Sequence, residues 1–317
     1  MNRKSTIILI ILIVAVLLPI LVAAVVGAAL MIARETPIYG NRVALIRVEG
    51  VITSGRGSPG FFGEGAAGSE RIVDLLEEFR RDRWVKSAVL RIDSPGGSAA
   101  GSQEIYQEIT RVRGEGKKII VSMGDVAASG GYYVASAGDM IYADAATLTG
   151  SIGVIMETMD LHELLGRYGV SLSAIKSGKH KDMGSFSRPM TPEERRILQS
   201  LIDDVFDQFV TDVSAGRKLP RRDVLKLADG RVYTGRQALK LKLVDRIGTL
   251  EDALRAAARQ AGIKGEFTVT EYERRPRLLE VLLGTANTEL PGWLARSSKL
   301  QELAQRLLLS NPDTQIR

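Results

Sequence analysis

From Ile7 to Ala33 the chain runs for 27 residues without a charged side chain, rich in Ile, Leu and Val and interrupted only by Pro19 and Gly27. At ~1.5 Å per residue a helix of that length exceeds the ~30 Å hydrocarbon layer, so it can cross a bilayer with some tilt. A soluble core could take it only if neighbours covered every face. Arg3 and Lys4 precede the run, whereas Arg34 is offset by Glu35. That bias puts the N-terminus inside the cell and the remaining chain outside. The run is longer than the ~7–15-residue apolar core of a cleaved leader, so residues 1–34 are expected to stay as an anchor, although small residues at Gly27 to Ala29 leave cleavage open.

Composition then removes several chemistries. The chain has no cysteine, which excludes disulfides, thiol nucleophiles and iron–sulfur clusters. His162 and His180 are the two histidines, too few for a three-histidine metal site, and neither a metal nor another cofactor is expected. The net charge of +6 comes with only 5 % aromatic residues and no isolated basic block, so nucleic acid is not an expected partner. An anionic membrane surface is the functional alternative.

Beyond the anchor the pattern is that of an α/β protein. Residues 43–50 (VALIRVEG) read as a strand, and the Gly-rich stretch 53–69 reads as a loop before the helical ERIVDLLEEFRR. Gly63, Gly65 and Gly68 satisfy GxGxxG, but the preceding strand ends too early for a dinucleotide turn, and a mobile entrance is the better reading. Strands at 88–93, 118–124 and 140–143 alternate with helices at 101–113 and after Ser129, which predicts a largely parallel sheet covered on both faces. Thr191 and Glu194 form a capping box with Pro192 at the first helical position, opening a long helix. A further strand is expected at Ser171 to Ile175, and leucine-rich amphipathic segments near 277–283 and 298–309 close the chain.

Glycine and serine concentrate in three segments that follow or separate apolar runs: DSPGG at 93–97, DVAASGG at 125–131 and TGSIGV at 149–154. Ends of parallel strands are where such sheets present ligands. Ser129 is expected at the first turn of a helix, where its hydroxyl either caps the helix or acts as a nucleophile beside unpaired amides. A nucleophile needs a base. His162, His180 and the lysines of SGKHKDMGS at 177–185 are the candidates; a lysine (~10.4 in water) costs ~4.6 kcal/mol to hold neutral at pH 7, a handicap that burial reduces.

RIDSPGG, DVAASGGYYVASAGD, TGSIGV, SGKHKDMGS and GRVYTGRQALKLKLVDRIG, in that order over about residues 43–262, resemble the signal peptide peptidase A family, serine–lysine membrane proteases of the ClpP/crotonase-like superfamily. The resemblance implies a β-β-α spiral core behind one transmembrane helix. It divides the chain into an anchor (1–34), a peptidase domain (35–262) and a C-terminal helical extension (263–317). It implies Ser129 as nucleophile, Lys181 as general base, Ser151 as the residue orienting that lysine, and Gly96 with Gly97 as the oxyanion region. Asp182, next to Lys181, is expected on a strand with its side chain on the opposite face. Also implied are leftover signal peptides and other extended apolar peptides as substrates, the bilayer as a partner, a homo-octamer of short-form subunits, and a catalytic domain on the extracytoplasmic side. A crotonase-like acyl-CoA enzyme, a serine–histidine peptidase and a catalytically silent membrane scaffold are the competing readings.

Overall fold

The computed structural model describes residues 41–57 and 65–273. The anchor segment, the centre of the Gly-rich loop and both leucine-rich C-terminal segments lie outside the described residues. Among the described residues no helix is long and apolar enough to cross a membrane.

The alternation of strands and helices produces one mixed sheet. β1 (Arg42–Glu49), β4 (Ser87–Ser94), β5 (Lys118–Ala128), β6 (Met140–Ala143), β9 (Arg246–Ile247) and β10 (Thr268–Glu271) run parallel in the order β10-β1-β4-β5-β6-β9. β7 (Leu148–Gly150) pairs parallel with the far end of β5 and antiparallel with β8 (Val232–Thr234). β2 (Ile52–Thr53) and β3 (Ala67–Gly68) form a second, two-stranded sheet from the two ends of the Gly-rich stretch. The stretch is therefore partly strand. Gly68 has no room for a side chain, since a Cβ there would meet the Arg56 carbonyl carbon at 2.2 Å. Close packing explains that glycine without a ligand.

Strand alternation decides which side chains face which layer. Ala44, Ile46 and Val48 of β1 join one core with α1 (Ser69–Arg81), α2 (Ala99–Gly114), α3 (Gly130–Ser136) and α5 (Pro192–Arg217). Short helices α6 (Arg221–Leu227) and α7 (Gly235–Lys240) stand on either side of β8 in the chain. Val43 and Leu45 point the other way, onto α8 (Leu250–Gln260). Ala253, Ala256 and Ala257 line that helix's inner face and let it lie close against the sheet. The capping box at Thr191 forms as expected: Glu194 N–H donates to Thr191 Oγ1 and Thr191 N–H to Glu194 Oε2.

Three expectations are corrected. β5 runs four residues beyond 124, to Ala128. Residues 171–175 form no strand; from α4 (His162–Arg167) to α5 the chain has no regular element, and Lys181 and Asp182 lie in turns held by Lys181 N–H to Gly178 O and Met183 N–H to His180 O. The sheet also reaches past residue 262, because β10 pairs with β1 from Arg42↔Thr268 to Leu45↔Glu271. An all-helical stretch from 263 does not hold there.

Candidate active site

β4, β5 and β7 end side by side, and their carboxyl ends bring the three glycine- and serine-rich segments together. The pair Ala128↔Gly150 is the last of the β5–β7 ladder, and Ser129 and Ser151 follow it directly. Both serines have left-handed backbones, with φ 51° and 50°. Such conformations cost roughly 1–3 kcal/mol each and persist only where the surroundings enforce them. For Ser129 the enforcement is visible: its N–H donates to Gly150 O at 2.8 Å and its carbonyl accepts Tyr133 N–H at 2.9 Å. Ser151 N–H donates to Arg231 O at 2.8 Å.

Ser129 stands at the N-cap of α3 but its side chain makes no capping hydrogen bond. The capping role is thus not what the hydroxyl does. The helix behind it is entirely buried and fastened at two phenols: Tyr132 O–H donates to Leu243 O at 3.0 Å and Tyr133 O–H to Asp212, with the Tyr133 ring stacked on Phe209 at 4.5 Å. Burial pushes both phenols above their ordinary range, so they remain donors.

The β4 end supplies the opposite wall. Gly96 has φ 99°, and a Cβ there would lie 2.6 Å from Gly130 N and 2.9 Å from Ser129 Cβ. Its amide donates to Ser94 Oγ at 3.1 Å and is already used. Gly97 is exposed, with φ 147°, and a Cβ on Gly130 would sit 3.3 Å from its nitrogen. The amides of Gly97 and of Gly130, the first residue of α3, therefore flank Ser129. Gly130 was not among the residues singled out from the sequence, although its place behind a helix-leading serine was the available signal.

Lys181 lies in the irregular segment between α4 and α5. It is exposed, and among the described residues it makes no hydrogen bond or ion pair with its side chain. Asp182 is not turned away by a strand; it is consumed by cations, accepting from Lys176 at 2.5 Å and from Arg188 Nη2 at 2.9 Å and Nε at 3.0 Å. Arg188 also bridges to Glu194 at 2.5 Å. These donors hold the Asp182 carboxyl well below the usual carboxylate range and Glu194 at about 2. His180 faces Glu193 at 3.5 Å, and His162 is exposed at the start of α4. Neither imidazole bonds to Ser129 among the described residues.

The sequence pattern of Peptidase family S49 matches residues 111–264, which includes Ser129, Ser151 and Lys181. A Synechocystis protein named as a putative protease is 44 % identical over 250 residues, 79 % of this chain and 85 % of its own length. An Enterococcus faecium protein named as a putative signal peptide peptidase is 35 % identical over 74 % of this chain and 67 % of its own. The chloroplastic serine protease SPPA of Arabidopsis thaliana is 33 % identical over 80 % of this chain, which spans 37 % of that longer protein. Among solved structures, a mutant of the 1510-N membrane-bound stomatin-specific protease superposes with a TM-score of 0.46 at 13 % identity, over 75 % of this chain and all of that one. The Synechocystis and Enterococcus relatives, matched over two thirds or more of their own length, together with a pattern that runs through the serine-bearing ends of β5 and β7, place the chain in peptidase family S49.

Proposed function

We propose that this peptidase is a membrane-anchored serine endopeptidase that degrades cleaved signal peptides and other extended apolar peptides with a Ser129–Lys181 dyad. The observation that carries it is Ser129 itself, a helix-leading serine in a left-handed conformation, free of any capping role, with two peptide amides beside it. Ser129 Oγ attacks the substrate carbonyl carbon while Lys181 takes its proton. The oxyanion receives the amides of Gly97 and Gly130, with Gly96 shaping the wall rather than donating. The lysine then passes the proton to the leaving amine, and water releases the acyl-enzyme to regenerate the hydroxyl. Ser151, next to Ser129 across the ladder, orients the amine.

Among the described residues of one copy Lys181 makes no hydrogen bond to either serine, so the reading includes assembly of subunits in which Lys181 of one copy serves Ser129 of the next. Large apolar side chains of the same segment, Ile155, Met159, Tyr168 and Ile175, face outward in a single copy and support that. Covering Lys181 in such an interface would also favour its neutral form. Asp182, already paired with Lys176 and Arg188, offers that amine little opposing charge. Substrate class rests on the relatives' names, and the anchor and outward topology on the uncharged run 7–33 with its flanking Arg3 and Lys4. The core is read as a ClpP/crotonase-like spiral and the assembly as an octamer. The anchor is read as 1–34 and the peptidase domain as reaching at least to the end of β10 at Glu271.

The test uses the full chain in detergent on unfolded apolar peptides, with size measured alongside. The parent is expected to cut them, and S129A and K181A to lose at least ~10³-fold in kcat while keeping their assembly. S151A is expected to lose less, since orientation of the base is weakened and the nucleophile stays. Hydrolysis that persists in S129A would overturn the covalent mechanism.

A further inference from the structure

β4 and β5 change register beside the site. Ile92 pairs with Met123 but Ser94 pairs with Ala127, so two steps along β4 match four along β5. The surplus of two residues makes Gly124 to Val126 a bulge opposite Asp93, and it falls where β5 passes from β6, which pairs with 120–122, to β7, which pairs with 126–128. Everything that points Ser129 lies beyond this bulge. Two residues of slippage would move Ser129 by roughly 6–7 Å along the strand, and one would turn it to the other face.

A bulge leaves backbone groups without ladder partners, and here side chains take them. Val126 N–H donates to Asp93 Oδ1 at 3.0 Å, and Thr147 Oγ1 donates to Gly124 O at 2.7 Å. The Asp93 carboxyl also lies on the bare face of Gly124: a Cβ there would meet Asp93 Cγ at 2.6 Å. Asp93 makes no ion pair among the described residues, so its acceptor is directed at this backbone. Its own carbonyl accepts Gly50 N–H at 2.9 Å, which ties it to the end of β1.

The geometry points to Asp93 as a positioning residue for Ser129. By accepting the Val126 amide and filling the space over Gly124, it fixes the bulge that sets how far β5 extends before the serine. This role rests on the reading of Ser129 as the nucleophile. Asp93 touches no reacting atom and moves no proton; it acts through the strand.

The experiment compares full-length parent, D93A, D93N, T147V and S129A in detergent. It measures kcat and KM on an unfolded peptide, the rate of labelling by a fluorophosphonate probe per mole of assembled protein, and amide exchange over residues 119–130. D93A is expected to lose about 10²-fold in kcat and in labelling rate, the scale set by an ångström of misplacement, with KM changed less than about threefold. Exchange in the 124–130 stretch should quicken. D93N, which keeps the Oδ1 acceptor, should return to within about fivefold of the parent, and T147V should lie between D93A and the parent. Equal labelling of parent and D93A, unchanged exchange in D93A, or a D93N as impaired as D93A would each overturn the role. A parent that is labelled no faster than S129A would instead overturn the nucleophile, and the positioning role with it.

Discussion

A methyl group added at position 96 would have nowhere to go. The backbone there has φ 99°, and the new carbon would press on Gly130 N, Ala128 O and Ser129 Cβ, all within 2.9 Å. Those neighbours are backbone or the candidate nucleophile's own Cβ, so relief must come from moving the site. G96A is therefore expected to cut probe labelling of Ser129 at least ~10-fold and to lower stability by about 1–3 kcal/mol. Gly114 supplies the contrast. It ends α2 with open space around it and no left-handed backbone, and G114A should stabilise by about 0.4–1 kcal/mol and leave labelling unchanged. Thermal melts and labelling rates on both variants decide it; a G96A protein labelled like the parent would refute the close packing. The Gly-Gly pair was legible in the sequence because only glycine tolerates such approach. The left-handed backbones of Ser129 and Ser151 were not, since serine carries no conformational signature of that kind and the constraint comes from a pairing between residues 128 and 150.

At the scale of elements, local signals succeeded where a partner was local. The Thr191 capping box and the long helix it opens are short-range patterns, and both form. The strand expected at 171–175 had the right alternation but no neighbouring strand to bond with, and Val170, Leu172 and Ile175 face solvent instead. An isolated strand has no ladder to stabilise it. What organises the stretch before α5 is ionic. Arg188 holds Asp182 and Glu194 together, a link across six residues on each side that no periodicity announces. Its pH dependence follows from sign. Glu194 lies at about 2 in the fold against an ordinary 4.5, and Asp182 is also depressed, so their contribution is complete above about pH 4.5 and is lost as pH falls toward 2. Arg188 stays charged throughout. The melting temperature should therefore drop over that window, and R188M, which returns both carboxyls toward ordinary values, should shrink the drop. An equal acid response in parent and R188M would remove Arg188 as its source.

For the whole molecule, the question is where the base comes from. The parallel sheet, the order of its helices and the meeting of three loops at strand ends follow from alternation rules that hold within one chain. The placement of Lys181 does not, because a surface segment carrying Met156, Met159, Tyr168 and Ile175 in the open takes its final environment from whatever covers it. If a second copy covers it, Ser129 and Lys181 of one site belong to different subunits, and two dead enzymes can repair each other. Mixed before assembly in equal amounts, S129A and K181A would generate sites that combine an intact serine from one with an intact lysine from the other. Random mixing makes that about a quarter of all sites, so activity should return to about a quarter of the parent's. If the dyad forms within one chain, each site keeps its lesion and the mixture stays as inactive as its parts. I175D, which puts a charge on the outward apolar stretch, should lower both assembly size and the activity recovered by mixing, whereas the same charge in a self-sufficient monomer would alter neither. Recovery that is absent from mixed assemblies of parental size would place the base within the chain that carries its serine.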